Sequence, residues 1–141
     1  MVKNVLENTY SESFQDYLEE ILRITREKGA DVYITSTELA GRMNRKPPTV
    51  TEMFGKLNQH GLVEWRKWKG VKLTKKGIQI AQKVLDMHEL LEDFLTEVLE
   101  LNDNEIKHRV ACSFEHELLD EPKLADCMQK SIEKNRSKRI A

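Results

Sequence analysis

The chain has 141 residues, 39% hydrophobic and 33% charged, with six Gly and three Pro, a composition that fits a helical globular protein of one or two small domains. No apolar run approaches the ~18 residues of a membrane span, no signal-peptide core opens the chain, and two cysteines make no disulfide framework, so a cytoplasmic protein without a membrane partner is expected. A net charge of −1, evenly spread, would argue against a nucleic-acid partner, but residues 42–76 hold ten Lys or Arg against two acids, a net +8, and residues 86–121 hold twelve acids against two bases, a net −10.

The first predicted element is SFQDYLEEILRITREKG, where Phe14, Tyr17, Leu18, Ile21 and Leu22 recur at helical spacing, Ser13 can cap and Gly29 stops the helix. A short second helix starts at TSTELAGRM, with Thr35 and Glu38 as a capping box. A third starts at Pro47-Pro48, buries Val50, Met53, Phe54 and Leu57, and ends before Gly61. The segment LVEWRKWKGVKLT alternates in hydrophobicity and reads as a two-stranded hairpin turning at Lys69-Gly70, with Trp65 assigned to the core and Trp68 to neither side. Thr74 caps a long helix running toward Leu101. Asn102 and Glu105 form a capping box for the next helix, Pro122 starts the last, and NRSKRIA is expected to fray.

Helix, short helix, turn, helix and ribbon is the order of a winged helix-turn-helix, whose second paired helix enters the major groove by its N-terminal residues. Here that end carries Arg45, Lys46, Pro47, Pro48, Thr49, Thr51 and Glu52. Thr49 and Thr51 can reach bases or phosphates, and Glu52 can accept from a cytosine amine or stay out of contact. Arg42, Arg45, Lys46 and Lys56 are expected to grip the backbone, with Lys67 and Lys69 on the wing. His60, in the last turn before Gly61, is read as structural. The fold expected is mainly α: a winged helix-turn-helix in residues 1–74, then an all-helical domain in residues 75–141.

The acidic half carries a different chemistry. His108, Cys112, Glu115 and His116 stand at i, i+4, i+7 and i+8, within one helical stripe, and His88 and Glu92 on the preceding helix can face it. Imidazole, thiolate and carboxylate together suit first-row divalent metals rather than calcium. Cys127 has no ligand neighbours on its turn and is expected to be packed.

With these residues in view, SFQDYLEEI, KPPTVTEMFGKLNQHGLV, VKLTKKG, DMHELLEDF and VACSFEHELL resemble the diphtheria-toxin-repressor and manganese-transport-regulator family of metal-dependent transcriptional repressors, over roughly residues 13–119. The resemblance implies a homodimer on a double-stranded DNA operator, controlling manganese or iron homeostasis with Mn2+ or Fe2+, one or two ions per subunit. It implies that the helical second domain dimerises, and the long helix around Met87–Leu101 and the last helix, with Leu124, Met128 and Ile132, are the candidate surfaces. It also adds two ligands from the first helix, Asp16 and Glu19, which sit on a polar face where solvated acids are the ordinary explanation. Glu115 and His116 match ligands of both family branches, as does His88, while Glu92 and His108 match an ancillary site of the iron branch. Cys112 stands where manganese-type members carry a carboxylate, and Asp16 stands where iron-type members carry methionine, so the ligand set is a hybrid. Glu52 replaces a Gln that reads DNA in iron-type members, and the SH3-like third domain of longer members has no counterpart in this stretch.

Two other readings stand beside this one. A winged-helix regulator answering an organic ligand would take up no stoichiometric metal. A dinuclear metal-carboxylate enzyme would leave the +8 segment unexplained, and no nucleophile or oxyanion arrangement stands beside the ligands.

Overall fold

The computed structural model describes residues 10–140, which pack as two compact units, residues 10–82 and residues 83–140. The described elements are α1 (Glu12–Lys28), α2 (Ser36–Met43), α3 (Pro47–Gln59), β1 (Val63–Arg66), β2 (Gly70–Leu73), α4 (Lys75–Glu97), α5 (Asn104–Asp120) and α6 (Pro122–Ile140). Residues 75–82 of α4 belong to the first unit and the remainder to the second.

In the first unit α1 buries Tyr17, Leu18, Ile21 and Ile24, positions set by the 3.6-residue repeat. Its N-cap is Ser11, whose hydroxyl accepts from the Phe14 N–H, and not Ser13, which lies inside the helix. Thr35 caps α2 by accepting from the Glu38 N–H. The carboxylate of Glu38 pairs with Lys28, however, so only half of the capping box is realised. Asn44 takes a left-handed conformation (φ 53°) to turn the chain into α3. Pro47 and Pro48 open α3, where missing N–H groups do not disturb the ladder, and Val50, Phe54 and Leu57 are fully buried while Met53 is half-buried.

β1 and β2 pair antiparallel with Val63 opposite Leu73 and Arg66 opposite Gly70, so the turn is Lys67-Trp68-Lys69 and Gly70 is already in the strand. The reason is a third segment: Ile34 exchanges both backbone hydrogen bonds with Val71, at 2.7 and 2.9 Å, and its carbonyl passes over Gly70. A Cβ on Gly70 would lie 2.0 Å from the Ile34 oxygen, and Gly70 has φ +106°. Gly70→Ala is therefore expected to destabilise the first unit by about 3 kcal/mol, combining left-handed strain with a backbone clash. A thermal melt within a degree of wild type would contradict this. Thr74 accepts from the Gly77 N–H at the start of α4 and donates to the Gly61 carbonyl, joining the wing to α4.

The second unit is helical among its described residues. Leu91, Ala111, Leu118 and Met128 form its core, with Met87, Leu90, Phe94 and Ala125 around them. Asp103, not Asn102, caps α5 by accepting from the Ile106 N–H. α4 ends at Glu97, short of the expected Leu101, and α6 continues through the segment expected to fray. Glu97 explains both: its carboxylate binds Arg136 through two hydrogen bonds of 2.7 and 2.8 Å, and its carbonyl accepts from Asn135 and Arg139. No described helix is long and apolar enough to cross a membrane.

Candidate metal centre and nucleic-acid interface

The donor cluster of the second unit is built around His88. This residue lies one turn before Glu92 on α4, and the ring is buried. Its Nδ1 is 2.7 Å from Oε2 of Glu115, and its Nε2 is 3.0 Å from Oε1 of Glu92. Cys112 Sγ lies 3.8 Å from His88 Nδ1 and 3.5 Å from His108 Nε2. His108 Nδ1 is 3.5 Å from Glu92, and the two imidazole rings meet edge-on at 4.9 Å. Glu115 is fully buried and its second oxygen is 3.5 Å from His116 Nε2, itself buried. The i, i+4, i+7, i+8 spacing on α5 thus produces one face, and the i, i+4 pair of α4 meets it.

His88, His108 and Cys112 can bring one donor atom each within 4.8 Å of one another. Two ligands sharing one ion, each bonded at about 2.0–2.3 Å, lie at roughly this separation or closer. Three imidazoles, a thiol and two carboxylates form a mixed N/O/S set that fits a first-row divalent cation and does not suit calcium. A carboxylate at each nitrogen of His88 lets one nitrogen ligate while the other donates to an anchoring oxygen, which fixes ring and tautomer.

On α1, Glu19 is buried and pairs with Arg23 at 2.7 Å, so the expectation of a solvated acid fails for this residue. Asp16 is half-buried. α1 is tied to the reader by charge. Arg42 of α2 binds Glu20 at 3.0 Å and Glu27 through two bonds of 2.8 and 3.0 Å, which raises the Arg42 pKa and lowers that of Glu27. Arg42, expected on the DNA backbone, thus has two carboxylate partners on α1.

The remaining reader residues are all exposed: Arg45, Lys46, Pro47, Pro48, Thr49, Thr51, Glu52 and Lys56 at the start of α3, with Lys67 and Lys69 on the hairpin. Lys46 occupies the N-cap position without a side-chain cap bond. Glu52 faces Lys56 at 3.6 Å, an exposed pair on the helix surface. Thr51 donates to the Pro47 carbonyl. His60 packs edge-on against Tyr10 and Phe14, in keeping with a structural role.

Three further expectations need correction. Trp65 is 40% exposed, packing edge-on against Phe54 rather than entering the core. Cys127 is exposed. Met128 and Ile132 are buried inside the second unit and cannot also form an outer dimer surface. The sequence reading gave Trp68 no role; its signal was a tryptophan between two lysines at a turn.

A winged helix-turn-helix followed in the chain by helices bearing a mixed-donor cluster is the build of a metal-responsive transcriptional regulator. Residues 9–71 match the iron dependent repressor N-terminal DNA binding domain, and residues 74–137 match the iron dependent repressor metal binding and dimerisation domain. A helix-turn-helix transcriptional regulator of Methanocaldococcus jannaschii is 42% identical over 111 residues, 79% of this chain and 86% of its own. The regulator MntR of Geobacillus thermodenitrificans is 36% identical over 106 residues, 75% of this chain and 72% of its own. Among solved structures, the metal-dependent transcriptional regulator MtsR is 30% identical with a TM-score of 0.71, covering 85% of this chain and 53% of that one. A manganese-dependent transcriptional repressor in complex with manganese is 29% identical with a TM-score of 0.69, covering 84% of this chain and 51% of that one. The chain spans about half the length of these solved chains. It belongs to the family of iron-dependent repressors, which are DNA-binding regulators and not enzymes.

Proposed function

We propose that the chain is a metal-activated homodimeric repressor of manganese or iron homeostasis genes, binding double-stranded operator DNA in the cytoplasm. The observation that carries this reading is the placement of His88 within reach of Glu92, His108, Cys112 and Glu115, on a chain whose other unit is a basic DNA reader. Glu92, His88, His108, Cys112, Glu115 and His116 would hold one or two ions per subunit, and the family resemblance adds Asp16 and Glu19. A bound divalent cation would supply positive charge beside the carboxylates of Glu92 and Glu115. Ligation by Asp16 and Glu19 would restrain α1, and through Arg42, Glu20 and Glu27 the helices of the reader, favouring the arrangement that fits DNA. Solved relatives described as a manganese regulator and a manganese-dependent repressor favour that ion, and another, ScaR, is described with bound zinc. Zinc outcompetes manganese at mixed-donor sites whichever ion is physiological.

The dimer surface we assign to α5. Ile106, Val110 and Phe114 stand at i, i+4 and i+8 and are all more than a third exposed, an apolar stripe on the outside of the second unit.

Selection from a random duplex library in manganese(II) tests the function. It is expected to return an inverted repeat with half-sites about one helical turn apart, ~34–36 Å, bound only with metal. Enrichment that survives a chelator would contradict metal activation. On the selected duplex, Lys46→Ala is expected to lower the salt slope by about one unit across all sequences, as one phosphate contact is lost. Thr49→Ala should instead relax base preference, weakening the selected site by about 1–3 kcal/mol. An unchanged preference would place Thr49 outside the groove.

Cys112 decides between the two candidate ions. Its thiolate is a softer donor than a carboxylate and favours iron(II) over manganese(II), so Cys112→Glu is expected to shift activation toward manganese. Activation curves for the two ions that are unchanged by Cys112→Glu would remove the thiol from the ligand set.

A further inference from the structure

The hairpin tip carries a residue that the reading above leaves idle. Trp68 is 92% exposed and takes φ +71°, a left-handed conformation that Gly or Asn adopts readily and a bulky side chain avoids. An indole kept at such a position without packing against the protein points to a partner outside it. The surroundings say what kind. Arg66 is paired with Glu64, and Lys72 lies 3.8 Å from Asp31, but among the described residues no carboxylate pairs with Lys67 or Lys69, which flank Trp68 on either side. The Lys67 ammonium instead lies 5.6 Å from the Trp68 ring centroid.

The tip also adjoins the reader. One open cleft of about 300 Å3 is lined by Thr51 and Phe54 of α3, Ser36 of α2, and Trp65, Lys67 and Trp68 of the hairpin. An indole between two free ammonium groups, beside the helix expected in the major groove, matches a polyanion that also offers apolar surface between its charged rails. Duplex DNA has that chemistry in its minor groove, where apolar side chains wedge against sugars and base steps while cations hold the phosphates.

We propose that Trp68 is a DNA contact, inserted by the wing into the minor groove beside the bases faced by α3, with Lys67 and Lys69 on the flanking phosphates. This rests on the DNA-binding reading above. It adds a contact that carries no charge and responds to groove width and to how readily a base step unstacks.

The test uses the full chain with manganese(II) and the duplex selected in its presence. Trp65→Phe leaves Trp68 as the only tryptophan. Its emission is expected to be quenched as the duplex saturates, with binding followed independently by anisotropy of a labelled duplex. Trp68→Gly relieves the left-handed residue, so its melting temperature should hold or rise, while affinity for the duplex falls roughly tenfold. The salt slope should stay unchanged, because no charge is lost, whereas Lys67→Ala should lower it. Unchanged affinity in Trp68→Gly, or unquenched Trp68 emission on a demonstrably bound duplex, overturns the proposal and leaves the DNA-binding function standing. Emission that shifts with protein concentration alone assigns the indole to a second copy of the chain and also overturns it. A metal-loaded protein that binds no duplex removes both readings together.

Discussion

Glu115→Gln and His116→Ala are each expected to abolish metal-dependent DNA binding while leaving the folded apo chain and its weak non-specific affinity for DNA. Glu115 is the anion at the centre of the cluster, with one oxygen 2.7 Å from His88 Nδ1 and the other 3.5 Å from His116 Nε2. The Gln side chain keeps the volume and can still accept from His88, so packing survives while the charge that a cation requires does not. Metal coupling to a distant site is typically worth 1–3 kcal/mol, about 5–150-fold in DNA affinity, and all of it should vanish. His60→Ala is the control. It removes ring packing against Tyr10 and Phe14 at the end of α3 but takes away no proposed donor, and should leave the metal response intact. Equal losses from His60→Ala and His116→Ala would mean that the assay reads stability rather than ligation. Calorimetric titration with manganese(II) separates the two.

Phe114→Glu is expected to split the dimer. A two-fold interface sets each patch against its own copy, so one introduced carboxylate becomes two like charges within an apolar contact. Val110 and Ile106, one and two turns earlier, extend the same stripe and make the contact long enough to matter. Sedimentation at micromolar concentration should change from dimer to monomer. Affinity for the inverted repeat should fall at least about a hundredfold, because the second half-site is no longer held at high effective concentration. A Phe114→Glu protein that sediments as a dimer would move the interface to another face. Exposed Leu124 on α6 would then be the next surface to examine.

The helices were legible because their signals are local: apolar spacing, prolines that open α3 and α6, and glycines that end α1 and α3. The caps slipped where two capping residues stand close together, as with Ser11 and Ser13, or Asn102 and Asp103. Local sequence cannot choose between such neighbours, and the packing of the following helix does. The errors of consequence have long-range causes. Gly70 looked like a turn residue because glycine favours turns, whereas it is glycine because Ile34, far back in the chain, lays its carbonyl over it. The pairing of Arg42 with Glu20 and Glu27 is hidden from local sequence because those acids lie on another helix. The segment after Ile132 has no apolar stripe, so nothing in it announces the pairing of Arg136 with Glu97, an acid near the end of α4. The donor stripe of α5 was readable for the same reason as the helices: its spacing lies within one element. That His88 and Glu92 meet it is a tertiary fact, which spacing allowed but did not require.

Metal and DNA binding coupled through one protein must be coupled reciprocally. If manganese(II) raises affinity for the selected duplex by a given factor, the duplex must raise affinity for manganese(II) by the same factor. The decisive measurement is the manganese(II) dissociation constant of the wild-type chain, taken with and without saturating duplex. Reciprocal coupling predicts tighter metal binding on DNA, by the factor seen in the converse experiment, and no such change for a duplex with scrambled half-sites. Equal manganese(II) affinity with and without the selected duplex would contradict it, leaving the donor cluster and the reader as two independent sites.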